Sequence, residues 1–318
     1  MIHALRALGS GLRTVLTAPL LVIMVTMVTA LAAVPFGVVL GSQLRDALAN
    51  RQPVYLGTAE IDAEWWVEFR EHAEGLAATF TPAIIGFAAP LGNLSAVLDG
   101  SSRPLVLLGP VLLSLLVWAW LWGGLLTRFS AGGRPGPRAF WRNARQHVVT
   151  FVAISLAAAV VHLALYLTVH AVLFGPVFNW LSSSVATERA AFAWRVALYA
   201  IFGACLMAVS LMADYARISV VARQQPGVRA AFASAWAFLR AHGVPAVSLY
   251  LLTGLLFIIL LAIYGTAEVY GGTRLGGWRS ILIGQGYIVA RVAIRLTLAA
   301  ASVRLYSERQ RTAAAPAS

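Results

Sequence analysis

The sequence contains no lysine, a single cysteine and few charged residues of either sign. All 24 basic residues are arginine, 11% of the 318 residues are charged, and 60% are hydrophobic. This balance excludes an ordinary soluble globular domain and predicts an integral membrane protein. Because Cys205 stands alone, an internal disulfide is excluded, and no Cys/His spacing is typical of a metal site. We expect neither a metal nor another cofactor.

Sequence motifs of the common enzyme classes are also missing. The chain has no Gly-x-Ser-x-Gly elbow, no His-Glu-x-x-His motif and no glycine-rich phosphate loop. No apolar run carries a pair of carboxylates that could act as general acid and base. We therefore expect no enzymatic activity.

Apolar runs long enough to cross about 30 Å of hydrocarbon predict an all-α integral membrane protein with six spans. Residues 1–318 would form a single polytopic domain, and the even number of spans would place both termini on one side of the membrane. The predicted spans are 18–41, 104–126, 147–173, 192–213, 244–265 and 280–303.

The distribution of arginine predicts the orientation, because basic residues are retained in cytoplasmic loops. With the N-terminus inside, the cytoplasmic segments net +12 and the opposite side nets −2. We predict a multi-pass protein of the bacterial cytoplasmic (inner) membrane with both termini in the cytoplasm. This topology explains the positive charge without nucleic acid, and it favours membrane lipids with anionic headgroups at the cytoplasmic face as partners.

Three stretches share a pattern in which a short amphipathic segment with arginine runs directly into a span. The second and third share Pro-Gly-x-Arg-Ala, beginning at Pro135 and Pro226. We interpret the pattern as three hairpins, each preceded by an interfacial amphipathic helix. Residues 139–146 and 228–241 are the predicted interfacial helices of the second and third hairpins. The aromatic residues predicted to lie at headgroup depth are Trp141 and Trp236.

The longest segment between spans, residues 42–103, is predicted to be helical and to lie on the outer side. Its first half is acidic and carries Trp65, Trp66 and Phe69, a pattern typical of a helix at the membrane surface. Its second half is apolar but interrupted by prolines and glycines, among them Pro82, so it either dips into the membrane or packs over the bundle. This segment is also a possible docking site for a protein partner.

Four stretches carry a resemblance that covers nearly the whole chain. They are "GGLLTRFSAGGRPGPRAFW", "DYARISVVARQQPGVRAAF", "ERAAFAWRVALYAIFG" and "FTPAIIGFAAPLGNLSAVLDG". In these stretches the chain resembles a bacterial family of six-span hypothetical membrane proteins. Its layout is more distantly similar to the membrane domain of glycerophosphodiester phosphodiesterase-like proteins. The resemblance implies the fold and a connection with lipids, and it supplies no catalytic residue.

Two arginines, Arg291 and Arg295, interrupt the sixth predicted span four residues apart, and therefore on one helical face. Charged groups at such depth usually face the interior of the bundle and meet a partner. Asp214, near the inner end of the fourth span, is the expected partner of Arg295. This arrangement would leave Arg291 to bind an anionic group. Alternatively, both arginines have a structural role, one paired and the other extending to the headgroups.

Polar residues also mark the third and fourth spans. The third span carries Ser155, His162, Tyr166 and His170, and the pattern favours interhelical hydrogen bonds over a proton relay. The fourth span adds polar and small residues that would face the same interior. They are Arg195, Tyr199, Gly203, Ser210 and Asp214.

Two classes of function remain open at this point. One is lipid or small-anion handling or transport through an interior lined by the third, fourth and sixth spans. The alternative is a non-transporting membrane scaffold or subunit that docks a partner through residues 42–103. An accessible cavity that reaches Arg291 would indicate the first class, and arginines sealed by close packing would indicate the second.

Overall fold

The computed structural model is helical throughout the ranges that it describes, and no strand occurs within them. Those ranges are residues 2–49, 63–80, 88–101, 105–131, 136–183, 185, 187–224, 227–272 and 277–314. The α-helices there are α1 (Ile2–Leu16), α2 (Pro19–Ala49), α3 (Ala63–His72), α4 (Ala88–Leu98), α5 (Leu108–Ser130), α6 (Pro137–Leu165), α7 (Phe178–Ser183), α8 (Glu188–Arg223), α9 (Val228–Ala267) and α10 (Gly277–Ala314).

Five helical segments of the described chain are long and apolar enough to cross a membrane, which agrees with an all-α membrane protein. They are Pro19–Ala47, Leu105–Ser130, Pro137–Ser183, Glu188–Arg223 and Val228–Tyr270. Three of them contain the third, fourth and fifth predicted spans, and the other two cover all but the first residue of the spans 18–41 and 104–126. The sixth predicted span lies within α10, which forms the expected long helix but is not among these five.

The buried side chains are concentrated at one end of the helix bundle. This end contains α1, the first halves of α2, α6 and α9, and the second halves of α5, α8 and α10. Its largest fully buried side chains include Leu125, Phe151, Tyr215, Leu249 and Tyr306. Toward the other end, large apolar side chains such as Leu31, Val160 and Ile258 are exposed. The described helices therefore pack tightly at one end and present apolar surface along the rest of their length.

Close contact between α1 and α10 depends on a glycine. A Cβ atom at Gly11 would lie 2.6 Å from the carbonyl oxygen of Thr297 and 2.9 Å from the Cβ of Ala301. The same face of α1 is buried at Ala4, Ala7 and Val15. Large apolar side chains project from the rest of α1 and are exposed, namely those of Ile2, Leu5, Leu12 and Leu16. One side of α1 thus packs on protein while these side chains remain free to contact lipid.

The two other predicted interfacial segments differ from each other in the structure. α6 runs from Pro137 to Leu165 without a break, so residues 139–146 form the first turns of a long helix. In α9, His242 has φ −135° and ψ 29°, and Pro245 follows. Because proline removes a helical hydrogen bond and crowds the preceding turn, residues 228–241 form a separately directed segment. Trp141 stacks on Trp120 at 4.6 Å between ring centroids.

The most extensive helix contact is between α5 and α6, across the boundary between the first and second predicted hairpins. Glycines in α5 permit this approach: a Cβ at Gly123 would lie 2.9 Å from the Cα of Ala144, and one at Gly124 would lie 2.7 Å from the Phe140 ring. Close helix packing therefore also occurs between helices of different predicted hairpins.

The outer segment is described in part. α3 contributes Phe69, which packs with Trp66 and Phe80 in a small aromatic cluster separate from the main core. Several predicted features lie outside the described residues. They are Pro135 and Pro226, which begin the shared motif, Pro82, and the side chain of Trp65. The predictions that involve them stay predictions.

Candidate functional site

A cavity of about 80 Å³ lies between α5, α8 and α10. We call it the internal cavity. Its polar lining consists of Asp214 and Arg217 from α8 and Arg295 and Ser302 from α10, and Trp122 of α5 covers one side. Apolar residues, among them Leu126 and Leu298, complete the wall. The three helices that carry these groups belong to the second, fourth and sixth predicted spans.

The carboxylate of Asp214 pairs with Arg217, one turn later on the same helix. Arg217 Nη1 lies 2.6 Å from Asp214 Oδ1. Arg217 Nη2 donates a second hydrogen bond to Ser155 Oγ of α6 at 3.0 Å, and the hydroxyl of Tyr250 in α9 donates to Asp214 Oδ2. The expected direct pair between Asp214 and Arg295 is therefore replaced by a pair within α8 that ties α6 and α9 to it.

Arg295 is held by aromatic rings instead of a carboxylate. Its guanidinium carbon lies 3.6 Å from the centroid of the Trp118 ring and 5.6 Å from that of Trp122. Cation–π contacts contribute about 0.5 to 1 kcal/mol at exposed sites and about 2 kcal/mol where the cation is desolvated. Arg295 is an exposed residue, and part of its side chain borders the internal cavity.

Arg291, one turn before Arg295, does not line the internal cavity. Its side chain is exposed, and within the described part of the chain it makes no hydrogen bond or ion pair. Tyr287, one turn earlier on the same helix, interacts with it electrostatically and stacks on Tyr264 with 4.4 Å between ring centroids. The two arginines of α10 therefore occupy different environments, and the cation at the cavity is Arg295.

Two polar atoms at the internal cavity are buried. Ser302 is 2% exposed, and the hydroxyl of Tyr215 lies close enough to interact with its Oγ. The Nε of Arg217 is buried without an acceptor in the described structure. Such groups are costly to leave unsatisfied. With two arginines facing one carboxylate, the cavity carries spare donors and excess positive charge.

The volume of the internal cavity limits what it could hold. About 80 Å³ is enough for a few water molecules or one small inorganic anion. It is too small for a whole phospholipid. Donors from Arg295, Arg217 and Ser302 suit an oxyanion or halide, since charge-assisted hydrogen bonds to anions are short and strong.

The predicted polar stripe of the third span has another role in the structure. Tyr166 donates from its hydroxyl to the carbonyl of Val97 at 2.7 Å, and His170 Nε2 lies 3.0 Å from the carbonyl of Leu98. Both contacts fasten the end of α4 to the bundle. His162 Nδ1 lies 2.7 Å from the carbonyl of Ala158 in its own helix.

Ser210 likewise bonds within its own helix, donating to the carbonyl of Leu206 at 3.0 Å. It does not line the internal cavity, and neither do His162 and Tyr166. Of the six predicted interior residues, the structure brings Asp214 and Arg295 to the cavity. The third span reaches the site through Ser155, which was predicted within the polar stripe.

Asp99 extends the attachment of α4 to the bundle. Its carboxylate accepts hydrogen bonds from the hydroxyl of Tyr199 in α8 and, at 2.7 Å, from Ser95 Oγ. The hydrogen bond from Tyr199, followed by that from Ser95, holds the pKa of Asp99 below its ordinary value. Gly100 follows with φ +61°, and a Cβ there would lie 2.9 Å from the His170 ring. The end of α4 is thus a specific junction.

Comparisons with known proteins do not assign a function to this site. Among the described residues, no group of three His, Cys, Asp or Glu side chains could hold a metal ion. No protein-family model, curated protein or solved structure matches the chain.

Proposed function

We propose that the chain is a six-span protein of the bacterial cytoplasmic membrane that binds a small inorganic anion in the internal cavity. Both termini would be cytoplasmic, and residues 42–103 would lie outside. The observation that carries the proposal is the charge of the cavity lining: two arginines face a single carboxylate.

The internal cavity does not reach Arg291, where the sequence placed the distinguishing feature, but it does reach Arg295. Accessible surface on Arg295 and a cavity of about 80 Å³ favour anion handling over a purely structural scaffold. The small volume selects an anion of the size of chloride, nitrate or phosphate for this site, and excludes a whole lipid from it.

Anion binding is tested by isothermal titration calorimetry of the full chain in detergent with the sodium salts of chloride, nitrate and phosphate. We expect binding of at least one anion by the native protein and at least about tenfold weaker binding by Arg295→Gln, because a charge-assisted hydrogen bond is lost. Arg291→Gln is the matched control: it removes the same charge from the same helix, and should retain binding.

The titration has clear contrary outcomes. Absence of heat with all three salts, or equal loss of binding in Arg291→Gln and Arg295→Gln, would refute a specific site at the internal cavity. Flux of the bound anion across proteoliposome membranes then separates a transporter from an anion-binding protein without transport. Flux that stops in Arg295→Gln supports transport through the cavity.

The proposed topology has a separate test. In a Cys205→Ala background, single cysteines are introduced in place of Arg138 and Arg70 and treated in intact cells with an impermeant thiol reagent. We expect modification at residue 70, in α3, and protection at residue 138, at the start of α6. The reverse labelling pattern would overturn the orientation.

A further inference from the structure

A second and larger pocket lies at the tightly packed end of the bundle, where α1, α5 and α10 meet. We call it the terminal cleft. Its volume is about 490 Å³, roughly six times that of the internal cavity at about 80 Å³. The cleft lies beside the short break at Thr17 and Ala18, where the chain passes from α1 into α2.

Three arginines dominate the charge of the terminal cleft. Arg128 comes from the last turn of α5, and Arg304 and Arg311 come from the end of α10. One carboxylate, Glu308, faces them, and it accepts a hydrogen bond from Arg304 Nε at 2.8 Å. The charge of the cleft lining is therefore positive after this pair is counted.

Arg128 is the arginine best placed to bind a ligand. It is half-buried, and in the described part of the chain no hydrogen bond or ion pair engages it. Two nearby hydroxyl groups already form hydrogen bonds within the protein. Thr14 Oγ1 donates to the carbonyl of Ser10 at 2.9 Å, and Ser10 Oγ accepts from Arg304. The available donors are thus mainly guanidinium groups, which bind phosphate through paired N–H groups.

An apolar trough of about 370 Å³ adjoins the terminal cleft. It runs along the start of α2 and is walled by Leu20, Leu21, Met24, Phe140 and Trp141. The cleft and the trough share three lining residues, so they are contiguous. The shared residues are Thr17, Ala18 and Arg128.

The trough opens onto surface that is itself apolar. Leu20, which lines it, is 80% exposed, and Leu16 beside it is 69% exposed. Exposed leucines next to a cluster of arginines are typical of the boundary between acyl chains and headgroups. A ligand that fills both parts must carry a negative charge at one end and a hydrocarbon chain at the other.

We infer that the terminal cleft and its trough bind one anionic phospholipid, with the phosphate on Arg128 and its neighbours and an acyl chain along α2. This inference depends on membrane embedding and is independent of anion binding in the internal cavity. Charge complementarity selects an anionic headgroup, and the contiguous trough selects a lipid over a free phosphate compound. A site of this kind would anchor α1 against α10 through the bound lipid.

The inference is tested by native mass spectrometry of the full chain released from nanodiscs of equal parts phosphatidylglycerol and phosphatidylcholine. We expect the native protein to retain one phosphatidylglycerol in preference to phosphatidylcholine. Retention should fall at least about tenfold in Arg128→Gln, because the main phosphate ligand is lost. Arg229→Gln, which removes an exposed arginine at the start of α9, is the control and should retain the lipid.

A second pair of variants tests the trough. Leu20→Gln places a polar group on its wall at an exposed position, so folding should be preserved while lipid retention falls. Leu251→Gln is the control, since Leu251 is 60% exposed on α9 and lies away from the trough. If Arg128→Gln lowers the thermal unfolding midpoint, lipid retention is measured in Arg311→Gln as a second test of the cleft.

The possible outcomes separate the inference from its rivals. Displacement of the retained lipid by millimolar glycerol phosphate, or lipid retention in Leu20→Gln equal to that of the native protein, would show a site for free phosphate compounds and overturn the lipid assignment. Equal retention of the two lipids, or unchanged retention in Arg128→Gln and Arg311→Gln, would also overturn it. Because anion titration of the internal cavity uses Arg295→Gln, failure there leaves the lipid result intact.

Discussion

The guanidinium carbon of Arg295 lies 3.6 Å from the centroid of the Trp118 ring, directly over its face. A cation on an otherwise apolar stretch of α10 is thereby stabilised by the quadrupole of an aromatic ring from another helix. The contact joins α10 to α5, and it leaves the edge of the guanidinium available to the internal cavity.

Replacement of Trp118 by leucine should therefore destabilise the protein by about 1 to 2 kcal/mol, because the cation loses its aromatic partner. Thermal unfolding in detergent, followed by circular dichroism, provides the measurement. Trp180→Leu is the control, since Trp180 is 73% exposed. A loss of stability no larger than that of the control would show that the stacking contributes nothing.

Replacement of Asp214 by asparagine should cost about 2 to 3 kcal/mol, because it leaves the largely buried Arg217 without its carboxylate. The Arg217 side chain is 13% exposed and that of Asp214 is 34% exposed. Arg217→Gln added to Asp214→Asn should restore part of the loss. Denaturant titration of the two single variants and the double variant gives the coupling between them.

The exposed pair of Arg304 and Glu308 provides a comparison for that cycle. Its side chains are 56% and 49% exposed, so Glu308→Gln should cost about 1 kcal/mol or less. If Asp214→Asn costs no more than Glu308→Gln, the ion pair in α8 is not a significant source of stability.

Gly11→Ala should destabilise the contact between α1 and α10, because the new Cβ would lie 2.6 Å from the carbonyl oxygen of Thr297. Overpacking against backbone typically costs about 1 to 3 kcal/mol. Gly9→Ala is the matched control: a Cβ there has no neighbour within 4 Å, and alanine improves helix propensity. The prediction fails if the two variants unfold at the same temperature.

Gly100→Ala should loosen the end of α4 more than Gly75→Ala does. Both glycines have positive φ, +61° and +57° respectively, so both substitutions incur the left-handed backbone cost of about 1 to 2 kcal/mol. Only at Gly100 does the added Cβ meet a side chain, the His170 ring at 2.9 Å. Hydrogen exchange of the α4 amides should rise specifically in Gly100→Ala, and equal exchange in both variants would contradict the junction.

The attachment of α4 should weaken in acid. Since the hydrogen bonds from Tyr199 and Ser95 lower the pKa of Asp99 in the folded protein, its contribution to stability is present above the pKa of an unfolded aspartate. That contribution is lost as the pH falls through the lowered value. The difference in unfolding midpoint between the native protein and Asp99→Asn should therefore shrink toward zero on acidification. A difference that does not change with pH would exclude this role.

Hydrophobic run length predicted the long helices well, because a membrane-spanning helix is a local property of about 20 consecutive residues. The five described apolar segments each coincide with a predicted span to within one residue at its start or contain it. The packing between them was less predictable, since it depends on close approaches such as that of Gly123 to Ala144, which involve separate helices.

The candidate site was predicted only in part, because its contacts also join separate helices. Arginine in an apolar run identifies Arg295, and the position of Asp214 near the inner end of its span predicts a similar depth in the membrane. Depth does not give the rotation of a helix about its axis. The pairing of Asp214 with Arg217 was therefore missed, although their spacing of three residues allows it. The contributions of Trp118 and Tyr250 required the structure, because nothing local in the sequence brings them to α10 or α8.

The stacked position of Arg295 has a consequence for the synthesis of the protein in the membrane. A helix carrying two arginines enters a lipid bilayer at a cost of about 2.5 to 3.5 kcal/mol for each charge near its centre. In the proposed topology α10 emerges after α5 with Trp118 and α8 with Asp214. The groups that accommodate its charge would already be in the membrane when it arrives. Insertion of α10 would therefore depend on helices made earlier, and chain order would contribute to successful assembly.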